Sequence, residues 1–227
     1  MGLTKRLIPQ ILIRDGRAVK GMQFALHRRI GNPVTLARIF EAQGADEIMI
    51  TEIDSNYQGL LRVVSELGGE CAMPLVAGGG IRSAEEALGV IREGADGVSL
   101  GEPGIGLTTE IGDILGKQAV TASVDYKGLI TAGGRYLPSY LAKIWPCVGE
   151  ILLTSIEREG TRMGLDYASL DDARRIVGCP LVGAGGASGA DDIRSALAVC
   201  DGVAIGTLLA FSNQSYPELV AGVRAVL

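Results

Sequence analysis

Histidine is almost missing from this chain: His27 is the one copy in 227 residues. A lone histidine without a paired nucleophile argues against serine or cysteine hydrolase chemistry, which needs a base within hydrogen-bond reach of the attacking group. It sits in "FALHRRIG", which reads as a solvated loop. Cysteine is scarce as well: Cys71, Cys147, Cys179 and Cys200 are far apart in sequence, so no pair forms a chelating or redox motif, and reduced thiols in the cytoplasm are expected. No His/Asp/Glu cluster has metal-ligand spacing, so neither a metal nor another cofactor is expected. Positive charge is in deficit, with 21 Lys and Arg against 26 Asp and Glu. That balance excludes a broad basic face for nucleic acid or an anionic membrane. No apolar run approaches the roughly 18–20 residues that span a bilayer, and no signal-like segment follows Met1.

What is abundant is short apolar runs of Val, Ile and Leu separated by segments of helical period. Parallel strands covered on both faces by crossover helices read this way. Strands are expected at about 6–12, 47–53, 74–78, 97–101, 119–125, 149–155, 180–184 and 201–206. Between them, "NPVTLARIFEAQGA", "SAEEALGVIREGA", "LDDARRIVG" and "GADDIRSALAVC" space apolar residues three and four apart, with Asn, Ser or Asp near the start. The chain also repeats itself. "PLVAGGGIRSAEEALGVIREGADGVSLG" from Pro74 aligns with "PLVGAGGASGADDIRSALAVCDGVAIG" from Pro180, and "GADEIMITEID" aligns with "VGEILLTSIER". Two similar halves of four strands each indicate an α/β fold of the (βα)8 TIM-barrel type, one domain over 1–227. A doubly wound open sheet is the alternative, but it predicts no such symmetry.

In a barrel of this kind the chemistry lies where strands end. Two glycine clusters fall there, "AGGGIRS" at 77–83 and "GAGGASG" at 183–189. Each is either a tight strand-to-helix turn or a cradle whose backbone N–H groups approach a phosphate. The second has company: Gly160 from "EREGTR" and Gly206 and Thr207 from "IGT" converge with Gly186 on one point. The first cluster, Gly79 and Gly80, is expected to be spoiled by Glu102, a carboxylate on the neighbouring strand end. Thr121, Ser123 and Asp125 share one strand face, as do Gln10 and Leu12. Asp125 at the mouth is a candidate general acid or base, or else an acceptor for loop amides. Lys20, in the basic run "RDGRAVKG", is taken to lie in a mobile loop, functional or merely solvated. At the opposite mouth Arg6, Glu47 and Glu150 begin their strands, as a salt-bridge plug or as a passage.

The runs "RDGRAVKG", "GADEI", "PLVAGGGIRS", "GADGVS", "GEILLTSIEREGTRMGLD" and "GAGGAS" together resemble the HisF family, the cyclase subunit of imidazole glycerol phosphate synthase, over nearly the whole chain. The resemblance implies a heterodimer with a glutaminase (HisH-like) subunit at the lower face, whose ammonia crosses the barrel to a phosphorylated acceptor above. It makes Asp125 a catalytic aspartate, Lys20 a loop lysine and Thr154 a polar site residue. It assigns Gly160, Gly186, Gly206 and Thr207 to a phosphate site with Glu159 in place of the usual aspartate. Arg6, Glu47 and Glu150, with Asp96 beside them, form the ammonia gate and interface, where the fourth gate residue, a lysine, is Gly97.

Two departures stand out. Leu12 occupies the place of the family's second catalytic aspartate, and Gly101–Glu102 replaces the Asn–Thr pair that grips a second phosphate. Such a pattern is similar to a HisF-like branch associated with acetamidino modification of cell-surface sugars, whose acceptor would be a phosphorylated or nucleotide-sugar-related compound. A cyclase of histidine biosynthesis and a non-catalytic, phosphate-binding activator of a glutaminase are the alternatives.

Overall fold

The structure, a computed structural model, describes residues 5–211 and 215–224. The chain enters through β1 (Arg6–Arg14) and turns back in a hairpin of β2 (Arg17–Met22) and β3 (Ala25–Gly31) before α1 (Pro33–Ala42). Three units follow: β4 (Ile48–Glu52) with α2 (Tyr57–Gly68), β5 (Leu75–Gly78) with α3 (Ala84–Arg92), and β6 (Gly97–Gly101) with α4 (Ile105–Leu115). The second half begins with β7 (Val120–Lys127), the short β8 (Ile130–Thr131) and α5 (Leu137–Ile144), then β9 (Glu150–Ser155) with α6 (Tyr167–Ile176). It ends with β10 (Leu181–Ala184), α7 (Ala190–Leu197), β11 (Gly202–Ile205), α8 (Thr207–Phe211) and α9 (Tyr216–Arg224).

Parallel pairing runs β1–β4–β5–β6–β7–β9–β10–β11, and β11 returns to β1, with Arg6 opposite Gly202 and Pro9 opposite Ile205. That closing pair makes the sheet an eight-stranded (βα)8 barrel and rules out the open doubly wound sheet. Alternation along the strands sorts the core into two layers. Ile8, Met49, Leu152, Val182, Ala184 and Ala204 point at the axis with Val76, while Ile11, Ile13, Ile48, Ile50 and Ile151 pack against the helices. Fully burying an aliphatic side chain of this size stabilises by about 1.5–3 kcal/mol.

The helices start where the caps say they should. Asn32 Oδ1 accepts from the backbone N of Val34 and Thr35 at 2.8 and 3.1 Å, and Ser83 Oγ from Glu86 N at 3.2 Å. The repeat extends to hydrogen bonds. Asp96 Oδ2 accepts from Leu75 N at 2.8 Å and Asp201 Oδ2 from Leu181 N at 3.0 Å. Glu86 takes Arg82 N at 2.6 Å as Asp192 takes Ser188 N at 2.7 Å.

The segment 17–31, read from sequence as loop, is an antiparallel hairpin laid on β1 with Leu12 opposite Val19. Asp15 and Gly16, both at positive φ (50° and 69°), make the two-residue turn that an Asp-Gly pair favours. Lys20 is therefore on a strand and buried, not in a mobile loop, and His27 belongs to β3. Among the described residues no helix is long and apolar enough to cross a membrane, and no group of His, Cys, Asp and Glu could hold a metal ion.

Candidate functional site

The carboxyl ends of the strands surround a cavity of about 560 Å³. Asp125 stands on its wall from β7, directly in register with Thr154 of β9. Burial pushes the Asp125 carboxyl up to about 6; a Thr154 hydrogen bond opposes this, and the charges of Glu102 and Glu159 add to it. A carboxyl with that value exchanges a proton near neutrality, which suits a general acid or base. Across the mouth, β1 offers Gln10 and Leu12, and the leucine can transfer no proton.

Beside this cavity lies a smaller pocket where Gly160, Gly186, Gly206 and Thr207 meet, the four residues expected to converge. Two of its glycines are sterically required: a Cβ on Gly160, at φ 76°, would stand 2.3 Å from Gly21 O and one on Gly186, at φ 96°, 2.4 Å from Gly164 O, whereas one on Gly206 would meet only the flexible end of Lys20, 2.1 Å from its Nζ. Lys20 thus belongs to this pocket. Its ammonium donates to Gln10 O at 3.1 Å, and burial lowers it to about 8 against the pull of Glu159. Glu159 is itself buried and accepts from Phe24 N at 3.3 Å, tying the hairpin to the pocket. Arg162, missed in the sequence reading, adds a second cation to the wall and holds Phe211 O at 3.2 Å. Gln10, which shares its strand face with Leu12, lines both cavities and stands between them. Lys20 and Arg162 thus bring two cations to one pocket with three glycines.

The first glycine cluster lines the larger cavity. Gly79 and Gly80 (φ 108° and 82°) press on Glu52 O and Ser55 O, at 2.1 and 2.7 Å from where their Cβ atoms would be. Glu52, a buried carboxylate absent from the sequence reading, holds that neighbouring loop by accepting from Asp54 N and Asn56 N at 3.0 and 2.6 Å. Glu102 is not where it was expected. At φ 40° its side chain leaves the cluster and accepts from Gly133 N at 2.6 Å, from Arg135 Nη1 at 3.2 Å and from the Thr131 hydroxyl. With three donors holding it, this carboxylate does not line the cavity that Gly79 and Gly80 share with Asp125.

At the other end of the barrel the strand starts enclose about 570 Å³. One arm of the Arg6 guanidinium donates to Glu47 at 2.8 Å and the other to Glu150. Burial works against the charge on Arg6, but Glu150 and Glu47 outweigh it and raise its pKa; burial likewise raises Glu150 against Arg6. Asp96 and Gly97 share this wall, although the Asp96 carboxylate is engaged by Leu75 N.

A family model described as "Histidine biosynthesis protein" matches residues 6–215. The chain belongs to that family. The protein named imidazole glycerol phosphate synthase subunit HisF from Halalkalibacterium halodurans is 36% identical, over 84% of this chain and 83% of its own. Its namesake from Hyphomonas neptunium is 35% identical over 99% and 96% respectively, and that from an Exiguobacterium species 33% over 91% and 88%. The HisF resemblance carried by the quoted motifs is thus matched along the barrel.

Proposed function

We propose that this chain is the barrel subunit of a glutaminase-fed synthase. Ammonia released by a HisH-like subunit docked on the lower face enters beside Arg6, Glu47 and Glu150 and emerges at Asp125. There Asp125 takes the proton that ammonia sheds on attacking an acceptor anchored through its phosphate near Lys20, Gly186, Gly206 and Thr207. The acceptor is an acetamido sugar derivative: ammonia adds to the amide carbon, and the carbonyl oxygen leaves as water with the proton that Asp125 returns to it, which turns the amide into an amidine, either in this mouth or on an amidotransferase that receives the ammonia.

The observation that carries this reading is Leu12. Ring-forming chemistry with two proton transfers calls for two groups at the mouth, and β1 supplies none beside Asp125. A cyclase is the second reading, favoured by the names of the relatives and by the fact that Glu102 leaves the first glycine cluster unopposed. A phosphate-binding activator without chemistry of its own is the third.

Purified chain, an ammonium salt and the histidine-pathway intermediate decide between the first two. Imidazole glycerol phosphate formed at an enzymatic rate establishes the cyclase and ends the first reading. No product, together with stimulation of a co-purifying glutaminase, is the result expected. If Asp125→Asn leaves the ammonia-dependent reaction intact, the activator reading stands instead.

A further inference from the structure

We infer that the groove between α4 and α5, outside the barrel wall, is a binding site for a nucleoside monophosphate, free or as part of a larger molecule. This site is separate from the function proposed above.

The groove encloses about 360 Å³ and shares no lining residue with the upper cavity or with the pocket beside Lys20. Its size falls within the range of about 300–1,000 Å³ typical of small-molecule sites. Ile105 reaches it from α4, and Arg135, Tyr136, Ser139, Tyr140 and Lys143 from α5 and the residues just before it. Tyr136, Tyr140 and Lys143 are four and three residues apart, so one helical face presents all three.

One wall is built for stacking. Arg135 Nη1 donates to the carbonyl and to the carboxylate of Glu102, each at 3.2 Å, which holds the guanidinium 5.0 Å from the centroid of the Tyr140 ring. The Tyr140 hydroxyl donates to Pro103 O at 2.8 Å, so both members of the stack are fixed. Glu102 compensates the charge of Arg135, and the guanidinium serves as a flat, weakly hydrated plane. Beside it Tyr136 is 52% exposed and Ile105 46%, an aromatic and apolar edge that a flat base would cover.

Lys143 supplies the charge. It is exposed, and among the described residues no carboxylate lines the groove and none stands in the first turn of α4 or α5. One uncompensated ammonium suits one phosphate group. From Tyr136 to Lys143 the helix rises about 10 Å, a span that base, ribose and phosphate together fill.

Titration calorimetry of the purified chain with AMP and UMP tests this, with adenosine and inorganic phosphate as controls. One nucleotide should bind per chain, tighter by about tenfold or more than adenosine or phosphate alone. Tyr136→Ala should weaken nucleotide binding about tenfold, the usual worth of one stacked base, and Lys143→Met should bring the affinity for AMP down to that for adenosine. Both side chains are exposed, so neither variant should shift the denaturant midpoint. Absence of nucleotide binding overturns the inference. So does binding that survives Lys143→Met and is lost in Lys20→Met, which would put the phosphate in the glycine-lined pocket. Ammonia-dependent turnover reads Asp125 and not this groove, so either result can fail without the other.

Discussion

Replacing Asp125 by Asn should make the protein more stable and less able. In the unfolded chain this carboxyl ionises near its ordinary 3.8, and in the folded barrel at about 6. Between those values the folded state holds the extra proton, so stability falls as pH rises through the window, and above about pH 6 the whole penalty for a buried carboxylate is present. At 1.36 kcal/mol per pH unit the gap is worth about 3 kcal/mol, and the open cavity on one side of Asp125 trims this to about 2 kcal/mol. Asparagine has the shape without the charge. Urea midpoints at about pH 4 and pH 8 should therefore coincide at the acid end and favour Asp125→Asn by about 2 kcal/mol at the alkaline end, with the slope m unchanged. Ammonia-dependent turnover should be lost in the same variant. A difference that does not vary with pH, or a variant less stable than wild type at pH 8, would refute the burial account of Asp125.

Gly206→Ala should drive the Lys20 ammonium from Gln10 O, lowering phosphate affinity at least tenfold by titration calorimetry with little change in the denaturant midpoint, because the new Cβ meets only the flexible end of that lysine. Arg6→Met strands Glu47 and Glu150 together in the lower mouth and should cost about 3–5 kcal/mol in a denaturant melt, most of it regained when both glutamates become glutamine. Gly133→Ala places a Cβ 2.6 Å from the Glu102 carboxylate, so amide exchange in 130–135 should speed up while the barrel strands keep their protection. Leu12→Asp should raise cyclase turnover by about 10²-fold or more in an ammonium assay, without a second change at Glu102 because that carboxylate faces away; wild-type turnover of the same size would sink the case built on Leu12.

The barrel was legible because its strands are buried on both faces and its repeat carries the same hydrogen bonds twice. The strand expected at 97–101 is β6 to the residue, and the others lie within two residues of their observed ends. The hairpin escaped because β3 buries nothing: its residues are all exposed or half-buried, so no alternation marks it, and the Asp15–Gly16 turn was the one signal available. Lys20 followed the hairpin. Placed in the buried run Ala18–Val19–Lys20, it becomes part of the wall of the glycine-lined pocket instead of a loop cation. Strand parity located Asp125, Gln10 and Leu12 correctly, since a period of two needs no tertiary knowledge. Glu102 was beyond reach: a positive φ at a non-glycine residue decides where its carboxylate goes, and nothing local in "SLGEP" announces it.

Comparison of the two half-barrels shows which residues carry the fold and which are free to carry function. Gly79 against Glu52 O is matched by Gly185 against Ser155 O, and the Glu86 cap by the Asp192 cap. The halves part at the next step, where Gly101 is followed by Glu102 and Gly206 by Thr207. One half keeps a glycine-lined pocket beside Lys20; the other uses the same strand end to fasten the 131–135 segment. Asp96 falls on the fold-carrying side of this division, because its bond to Leu75 N is the counterpart of Asp201 with Leu181 N. Removing such a carboxylate leaves a strand N–H without its acceptor, a cost borne by the barrel itself. Among the described residues Glu47 bonds to Arg6 alone and to no backbone group, so a change there alters the lower face without removing a strand hydrogen bond.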